Sequence, residues 1–228
     1  MKLHSKRLLK ICEMITQYKT GNTLADIGTD HAYLPCFLYK NHVIEKAYAC
    51  DVAEGPLASS QATIVHEGVI GHVIPLLGDG LDPVASLPTD MIAICGMGGL
   101  LMSQILEAHV EKMDDNLFFL QANTAIDLLR ACLEKHQLAI IDEAMVKDGH
   151  HIYEIIVAKK GQDVSYSEED LMFGPVLRQK QGPLFEEKWM HALEVQRRIL
   201  KSLDPQHEKY AKVLKEKEMI EKVLDHAG

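Results

Sequence analysis

Leu24-Ala-Asp-Ile-Gly-Thr-Asp-His-Ala-Tyr-Leu-Pro35 is the stretch that decides the fold. An apolar strand carrying Asp26 runs into Gly28, and a helix is predicted to begin at Tyr33. A strand, a glycine turn and a helix in that order hold a ligand at the carboxyl edge of a parallel sheet. A dinucleotide fingerprint would need three glycines, so that backbone amides approach a pyrophosphate. This turn has one glycine, flanked by Asp26 and Asp30. Two carboxylates repel phosphate and suit a ligand with an amino group and a positive sulfur, which favours S-adenosylmethionine (SAM). An ordinary strand-to-helix turn is the competing reading of this segment alone.

Working outward, strands are predicted at Thr23–Ile27, Lys46–Asp51, His72–Leu77, Asp90–Cys95 and Asn116–Leu120, then Leu138–Met145 and Ile152–Ala158. Helices are predicted near Lys6–Tyr18, Tyr33–Lys40, Gly55–His66, Gly99–Ala108 and Ala125–His136. Five short strands alternating with helices imply a parallel sheet covered on both faces. The last two strands are joined by only a few residues, so they read as a hairpin with Asp148-Gly149 at its turn. The expected fold is therefore α/β, a Rossmann-like class I methyltransferase sheet of seven mostly parallel strands.

Composition shifts after Lys159, where Gly161, Gly174-Pro175 and Gly182-Pro183 punctuate a polar stretch. Phe185, Trp189, Ala192, Gln196, Ile199 and Leu203 then alternate spacings of four and three, as a coiled-coil seam does. Asp204-Pro205 reads as a cap and first-turn proline, and Tyr210, Val213, Lys217, Ile220 and Leu224 repeat the seam. The expected division is a catalytic domain over 1–160, a linker over 161–183 and an α-helical coiled-coil hairpin over 184–228.

The 228 residues are 47% hydrophobic, enough for a sizeable core, with no apolar run near the ~20 residues that span a bilayer. Five cysteines without paired spacing argue against a disulfide framework, and a cytoplasmic location is expected. The histidines show no zinc spacing. Net charge is −9, yet residues 1–20 carry +4 and residues 175–228 carry +2. Basic ends on an acidic body remain compatible with RNA, although charge alone favours a solvated surface with no partner.

Candidate ligands gather at successive strand ends. Asp51 closes the second strand, where a carboxylate accepts ribose hydroxyls. The third ends in Gly78-Asp79-Gly80, an acid for the adenine amino group beside glycines that let the ring approach. The fourth ends in Cys95-Gly-Met-Gly-Gly99, where Gly96 and Gly98 let backbone approach the methionine moiety and Met97 packs on a flat ring. An Asn/Asp-Pro-Pro-aromatic motif for an exocyclic amine is missing there, so a ring nitrogen is the better target. Asp30, His31, Tyr33, Gln121 and Asn123 are expected around a base flipped from its stack.

Asp26-Ile-Gly-Thr-Asp-His-Ala-Tyr-Leu-Pro35, Glu54-Gly-Pro56, Gly96-Met-Gly-Gly99 and the Ser5-Lys-Arg-Leu8 opening together resemble the bacterial tRNA (adenine-22-N1)-methyltransferase family. Phe173-Gly-Pro175 before a coiled-coil hairpin extends the resemblance over nearly the whole chain. The resemblance implies SAM as methyl donor and tRNA as partner; no membrane and no protein partner are expected, and a monomer is expected. It implies a SAM site of Asp26, Gly28, Asp51, Asp79, Gly80, Gly96 and Met97, with Arg7 near the SAM carboxylate. Gln121-Ala-Asn123 departs from the family's Gln-Pro-Asn, and Asp51 stands where many relatives carry glutamate. A small-molecule methyltransferase and a non-catalytic SAM- or RNA-binding protein are the alternatives.

Overall fold

The computed structural model describes residues 1–225. Seven strands form one sheet in the order β3-β2-β1-β4-β5-β7-β6. They are β1 (Thr23–Ile27), β2 (Lys46–Asp51), β3 (Val73–Leu77), β4 (Met91–Gly98), β5 (Leu117–Thr124), β6 (Leu138–Asp148) and β7 (His151–Lys160). The first five are parallel, and β7 runs antiparallel to both β5 and β6. Strand order reverses between β1 and β4, which opens a crevice at their carboxyl ends.

Helices α1 (Lys6–Tyr18), α2 (Tyr33–Lys40) and α3 (Glu54–Glu67) cover one face, where Ile11, Ile15, Leu38 and Ile64 meet Leu24, Ala47 and Met91. Helices α4 (Gly99–Ala108) and α5 (Ile126–Lys135) cover the other, with Met102, Leu106, Leu129 and Leu133 against Ile92, Ile94 and Phe118. The strand cores are almost wholly buried, as the near-continuous apolar runs of a two-sided parallel sheet require.

Two sequence expectations shift within the sheet. β4 and β5 each run past the glycine and Gln121-Ala-Asn123 segments read as loops, because the two strands keep pairing across a bulge around Met97. The β6–β7 turn is Gly149-His150: Asp148 pairs with His151, and Gly149 takes the positive φ of 62° that a tight hairpin needs at its first central position. Asp148 is thereby free to anchor α1, accepting from Ser5 Oγ at 2.7 Å and the Arg7 amide at 3.1 Å.

After the sheet come α6 (Glu168–Phe173), α7 (Leu177–Lys180), α8 (Pro183–Ser202) and α9 (Tyr210–Asp225). α8 and α9 pack antiparallel, with Arg197 to Glu221 at 2.9 Å and Gln196 to Glu216 at 2.8 Å. α9 begins at Tyr210 rather than Pro205. Asp204 does not cap it, because its carboxylate accepts from the Gln206 amide at 2.9 Å and closes a turn instead. The last three residues expected in the hairpin lie outside the described residues.

A buried ionic joint ties this part to the sheet. Arg130 of α5, fully buried, reaches Glu143 of β6 at 2.7 Å and Glu154 of β7 at 2.5 Å. Glu143 also accepts from the amides of Val176 and Leu177, and Lys188 of α8 pairs with Glu154. Phe173, Phe185 and Trp189 pack beside it, Phe173 lying edge-on to Trp189 with centroids 4.6 Å apart.

Candidate active site

The loop from Gly28 to Ala32 is forced into an uncommon shape. Gly28, Asp30 and Ala32 have φ of 71°, 55° and 53°, left-handed values that are costly for Ala32. Neighbouring strands hold it there. The amides of Gly28 and Thr29 donate to Cys50 O at 2.9 and 3.0 Å, and Ser60 Oγ of α3 donates to Asp30 O at 2.9 Å. Asp51 accepts from the amides of Asp30 at 3.2 Å and Ala53 at 3.0 Å, joining the first and second loops.

A cavity of about 340 Å³ opens under this loop, walled by Arg7, Asp26, Gly28, His31, Tyr33 and Gly96, among others. Asp26 is 5% exposed, and its carboxylate accepts from Thr29 Oγ1 at 2.6 Å. Burial pushes its carboxyl up to about 6, against the lowering effect of the Thr29 hydrogen bond and with a further push from Asp51. A buried acid in that state favours a cationic visitor, which restores its ionised form.

Arg7 faces the same cavity from α1. Its Nη1 donates to Gln121 Oε1 at 2.5 Å, and its guanidinium lies over the Tyr153 ring, 5.3 Å from the centroid. Gln121 passes the connection on: Nε2 donates to Asn123 Oδ1 at 3.0 Å, and Asn123 Nδ2 donates to Gly96 O at 2.7 Å. One chain of hydrogen bonds therefore fixes α1, β5 and the bulge of β4. A guanidinium and a buried carboxylate on one cavity are complementary in charge to the two ends of an amino-acid moiety.

The glycines divide by role. Gly28 takes a φ of 71° that strains any other residue, and an added Cβ, 2.2 Å from Met97 Cε, would also push the methionine tip aside. Gly96 combines φ of 85° with Arg7 Nη1 3.1 Å from an added Cβ. Gly98 has an ordinary φ of −78° and would meet only Thr124 Oγ1 at 3.1 Å. Gly99 is the one packed tightly against the protein itself, since a Cβ there would lie 2.0 Å from Ala125 O.

His31 and Tyr33 stack at the cavity mouth with centroids 5.1 Å apart and planes 11° apart, and His31 Nε2 lies 3.6 Å from Asp30 Oδ2. Asp79 and Gly80 sit on the loop after β3, outside the walls of this cavity; Gly80 takes φ of 48° against Ile105. The structure thus brings Arg7, Asp26, Gly28, Asp30, His31, Tyr33 and Gly96 onto one cavity, with Asp51, Met97, Gln121 and Asn123 one contact away.

Sequence reasoning missed Thr29, Asp148, Tyr153 and Lys188. Thr29 lay in the deciding stretch and three residues from Asp26, a spacing that allows a hydroxyl to reach back. Tyr153 and Lys188 carry no local signal. Among the described residues one group, Glu107, Cys132 and His136, brings three metal-capable atoms within 4.8 Å of one another. It sits at the carboxyl ends of α4 and α5, the opposite rim from the cavity, with Glu107 already held by Lys135 at 2.6 Å.

The sequence pattern of the tRNA (adenine(22)-N(1))-methyltransferase family matches residues 24–225. The Bacillus subtilis (strain 168) tRNA (adenine(22)-N(1))-methyltransferase is 32% identical over 234 aligned residues, covering 97% of each chain. The crystal structure of the B. subtilis m1A22 tRNA methyltransferase superposes with a TM-score of 0.88 at 31% identity, over 98% of this chain and 99% of that one. A Streptococcus pneumoniae relative solved in complex with S-adenosyl-L-methionine gives 0.89 at 31% identity, over 97% and 100%. The chain belongs to the tRNA (adenine(22)-N(1))-methyltransferase family.

Proposed function

We propose that this protein methylates N1 of adenine 22 in tRNA, with SAM as donor, using the cavity walled by Arg7 and Asp26. The observation that carries the site assignment is the placement of one guanidinium and one buried carboxylate on a single cavity of ligand size. Arg7 holds the carboxylate of the donor and Asp26 its ammonium. Asp51 takes the ribose hydroxyls, Asp79 and Gly80 the adenine edge, and Gly28, Gly96, Met97 and Gly98 shape the close approach. When bound, SAM supplies a methyl group activated by a positive sulfur.

Adenine N1 already carries a lone pair, so no strong base is needed. The protein's work is to hold the ring in line and to stabilise the cation that forms. The stacked His31–Tyr33 pair offers a face for the extruded base, and Asp30 places a carboxylate beside it. Gln121 and Asn123 are locked to Arg7 and to Gly96 O, so the base-facing amides and the donor-facing guanidinium are set by the same bonds.

In this reading 1–160 is the catalytic domain, 161–183 the linker and 184–228 the tRNA-binding hairpin. The protein acts as a monomer in the cytoplasm; no helix among the described residues is long and apolar enough to cross a membrane. The deciding experiment incubates unmodified tRNA with the protein and methyl-labelled SAM, then digests the RNA to nucleosides. Label is expected in 1-methyladenosine and lost when position 22 is guanosine. Label in another nucleoside, or none, refutes the proposal.

A further inference from the structure

A second cavity lies apart from the first. It measures about 620 Å³ and sits where the first turn of α5 and α6 face the α8–α9 hairpin. We propose that this cleft holds an unpaired nucleobase of the tRNA adjoining the target adenosine; the inference rests on the tRNA methylation described above. Three observations carry it.

The first is continuity with the candidate active site. A smaller cavity of about 230 Å³ has Asn123 in its wall, together with Ala125, Ile126 and Lys188. Ala125 and Ile126 also wall the large cleft, and Trp189 of the cleft follows Lys188 on α8. A strand whose target base enters beside Asn123 therefore has the cleft as its next recess. Asn123 and Ala125 are two residues apart, about 7 Å of extended chain.

The second is the chemistry of the walls. Leu128, Leu171, Met172 and Met219 give apolar and polarisable surface suited to a flat ring. Two wall residues carry buried polar atoms with no hydrogen-bond partner among the described residues, the Trp189 Nε1 donor and the Gln196 Oε1 acceptor, which a base meets when these side chains turn toward the cleft. Unsatisfied buried groups are rare and call for an explanation. Trp189 is only 7% exposed, so its indole N–H has few other routes to a partner. A nucleobase presents both acceptors and donors on its edge and is extruded readily from unpaired RNA.

The third is charge. Asp127, Glu168 and Glu216 on the walls outnumber Lys212 and Lys215, and Lys215 is held by Glu168 at 2.5 Å. Such a rim disfavours a phosphate inside and suits a neutral ring whose phosphates stay outside. The helix start at α5 lacks a side-chain cap, leaving amide donors at the same wall.

Trp189 is the sole tryptophan of the chain, so its fluorescence reports this cleft directly. Unmodified tRNA is titrated into the protein while Trp189 emission and filter binding are followed in parallel, with SAM titration as control. The expected result is a change in Trp189 emission that saturates together with tRNA binding. Leu128 is 49% exposed, so Leu128→Glu should fold normally while placing charge at the cleft. It should raise the tRNA Kd about tenfold, the loss of one enclosed base, and leave SAM affinity and Tm unchanged. Either a silent Trp189 at full tRNA binding, or an unchanged Kd for Leu128→Glu, overturns the proposal while methylation by the wild type still stands. Failure of the wild type to bind tRNA overturns both readings.

Discussion

Replacing Arg130 with methionine should cost more stability than any single change at the ligand cavity. Arg130 is fully buried and makes five polar contacts: two to Glu143 at 3.0 and 2.7 Å, one to Glu154 at 2.5 Å, and two to the carbonyls of Leu171 and Met172 at 3.1 and 3.4 Å. Methionine fills the space but leaves two buried carboxylates facing one remaining cation, Lys188. Breaking a buried network in this way costs about 3–5 kcal/mol, because an uncompensated charge stays inside. For a chain of this length each kcal/mol moves Tm by about 2–4 °C, so a fall of roughly 6–20 °C is expected by calorimetry at neutral pH.

The pH dependence gives a second check on the same variant. Burial pushes Glu143 above its ordinary value while Arg130 pulls it down, and the net shift is upward. Burial also pushes Glu154 up, but Arg130 and Lys188 outweigh it and hold it ionised. Without Arg130 the Glu143 carboxyl rises further, and Glu154 loses the first of the two cations that hold it down. A raised folded-state value means the fold is favoured by protonation, so the deficit of the variant should narrow as pH falls from neutral toward 5. A Tm within 2 °C of wild type at neutral pH, or a deficit that widens in acid, would refute this account of the joint. Cutting the chain after Gly174 removes the amides that serve Glu143 and the lysine that serves Glu154. Such a truncation should be destabilised, although every strand precedes the cut.

Other changes test the ligand cavity and its supports. Asp51→Ala should weaken SAM binding by about 2–4 kcal/mol, since it removes a charged acceptor and frees the Asp30 amide; unchanged affinity by calorimetry in a folded variant sinks the assignment. SAM affinity should rise as pH increases through about 6 and level off, because the donor's ammonium favours ionised Asp26, and Asp26→Asn should flatten that profile. The same raised value makes Asp26 favour the folded state most in acid, a contribution lost as pH rises from about 4 to about 6. Gly99→Ala should cost about 1–3 kcal/mol through its clash with Ala125 O, whereas Gly98→Ala should stay within about 0.5 kcal/mol; equal melting temperatures contradict this division.

Much of the sheet was legible because its signals are local. The apolar runs over Thr23–Ile27 and Lys46–Asp51 coincide with β1 and β2, and the helices over Lys6–Tyr18 and Tyr33–Lys40 keep their expected bounds. The ends of β4 and β5 were not legible, because pairing across a bulge depends on the partner strand. Gly96-Met-Gly-Gly99 looks like a turn in one dimension, yet Met97 and Gly98 remain paired with Ala122 and Thr124. The α9 start failed for a related reason. Asp204-Pro205 has the residues of a helix start, and the chain uses the aspartate to close a turn five residues early.

The site splits along the same line. Asp26, Gly28, Asp30, His31 and Tyr33 share one loop, so a single stretch of sequence could place them together. Arg7 could be placed only by resemblance, since it meets Gln121 across 114 positions. What sequence could not supply is the reason these parts are coupled. Asp148, read as a turn residue, accepts from the Arg7 amide and so sets the first turn of α1 against the sheet. The guanidinium at the far end of that same residue orients Gln121, and Gln121 orients Asn123. A change in the β6–β7 hairpin therefore reaches the Gln121 and Asn123 amides without touching any ligand. Asp148→Ala should accordingly raise the KM for SAM while leaving the sheet folded, because α1 loses its anchor rather than its charge.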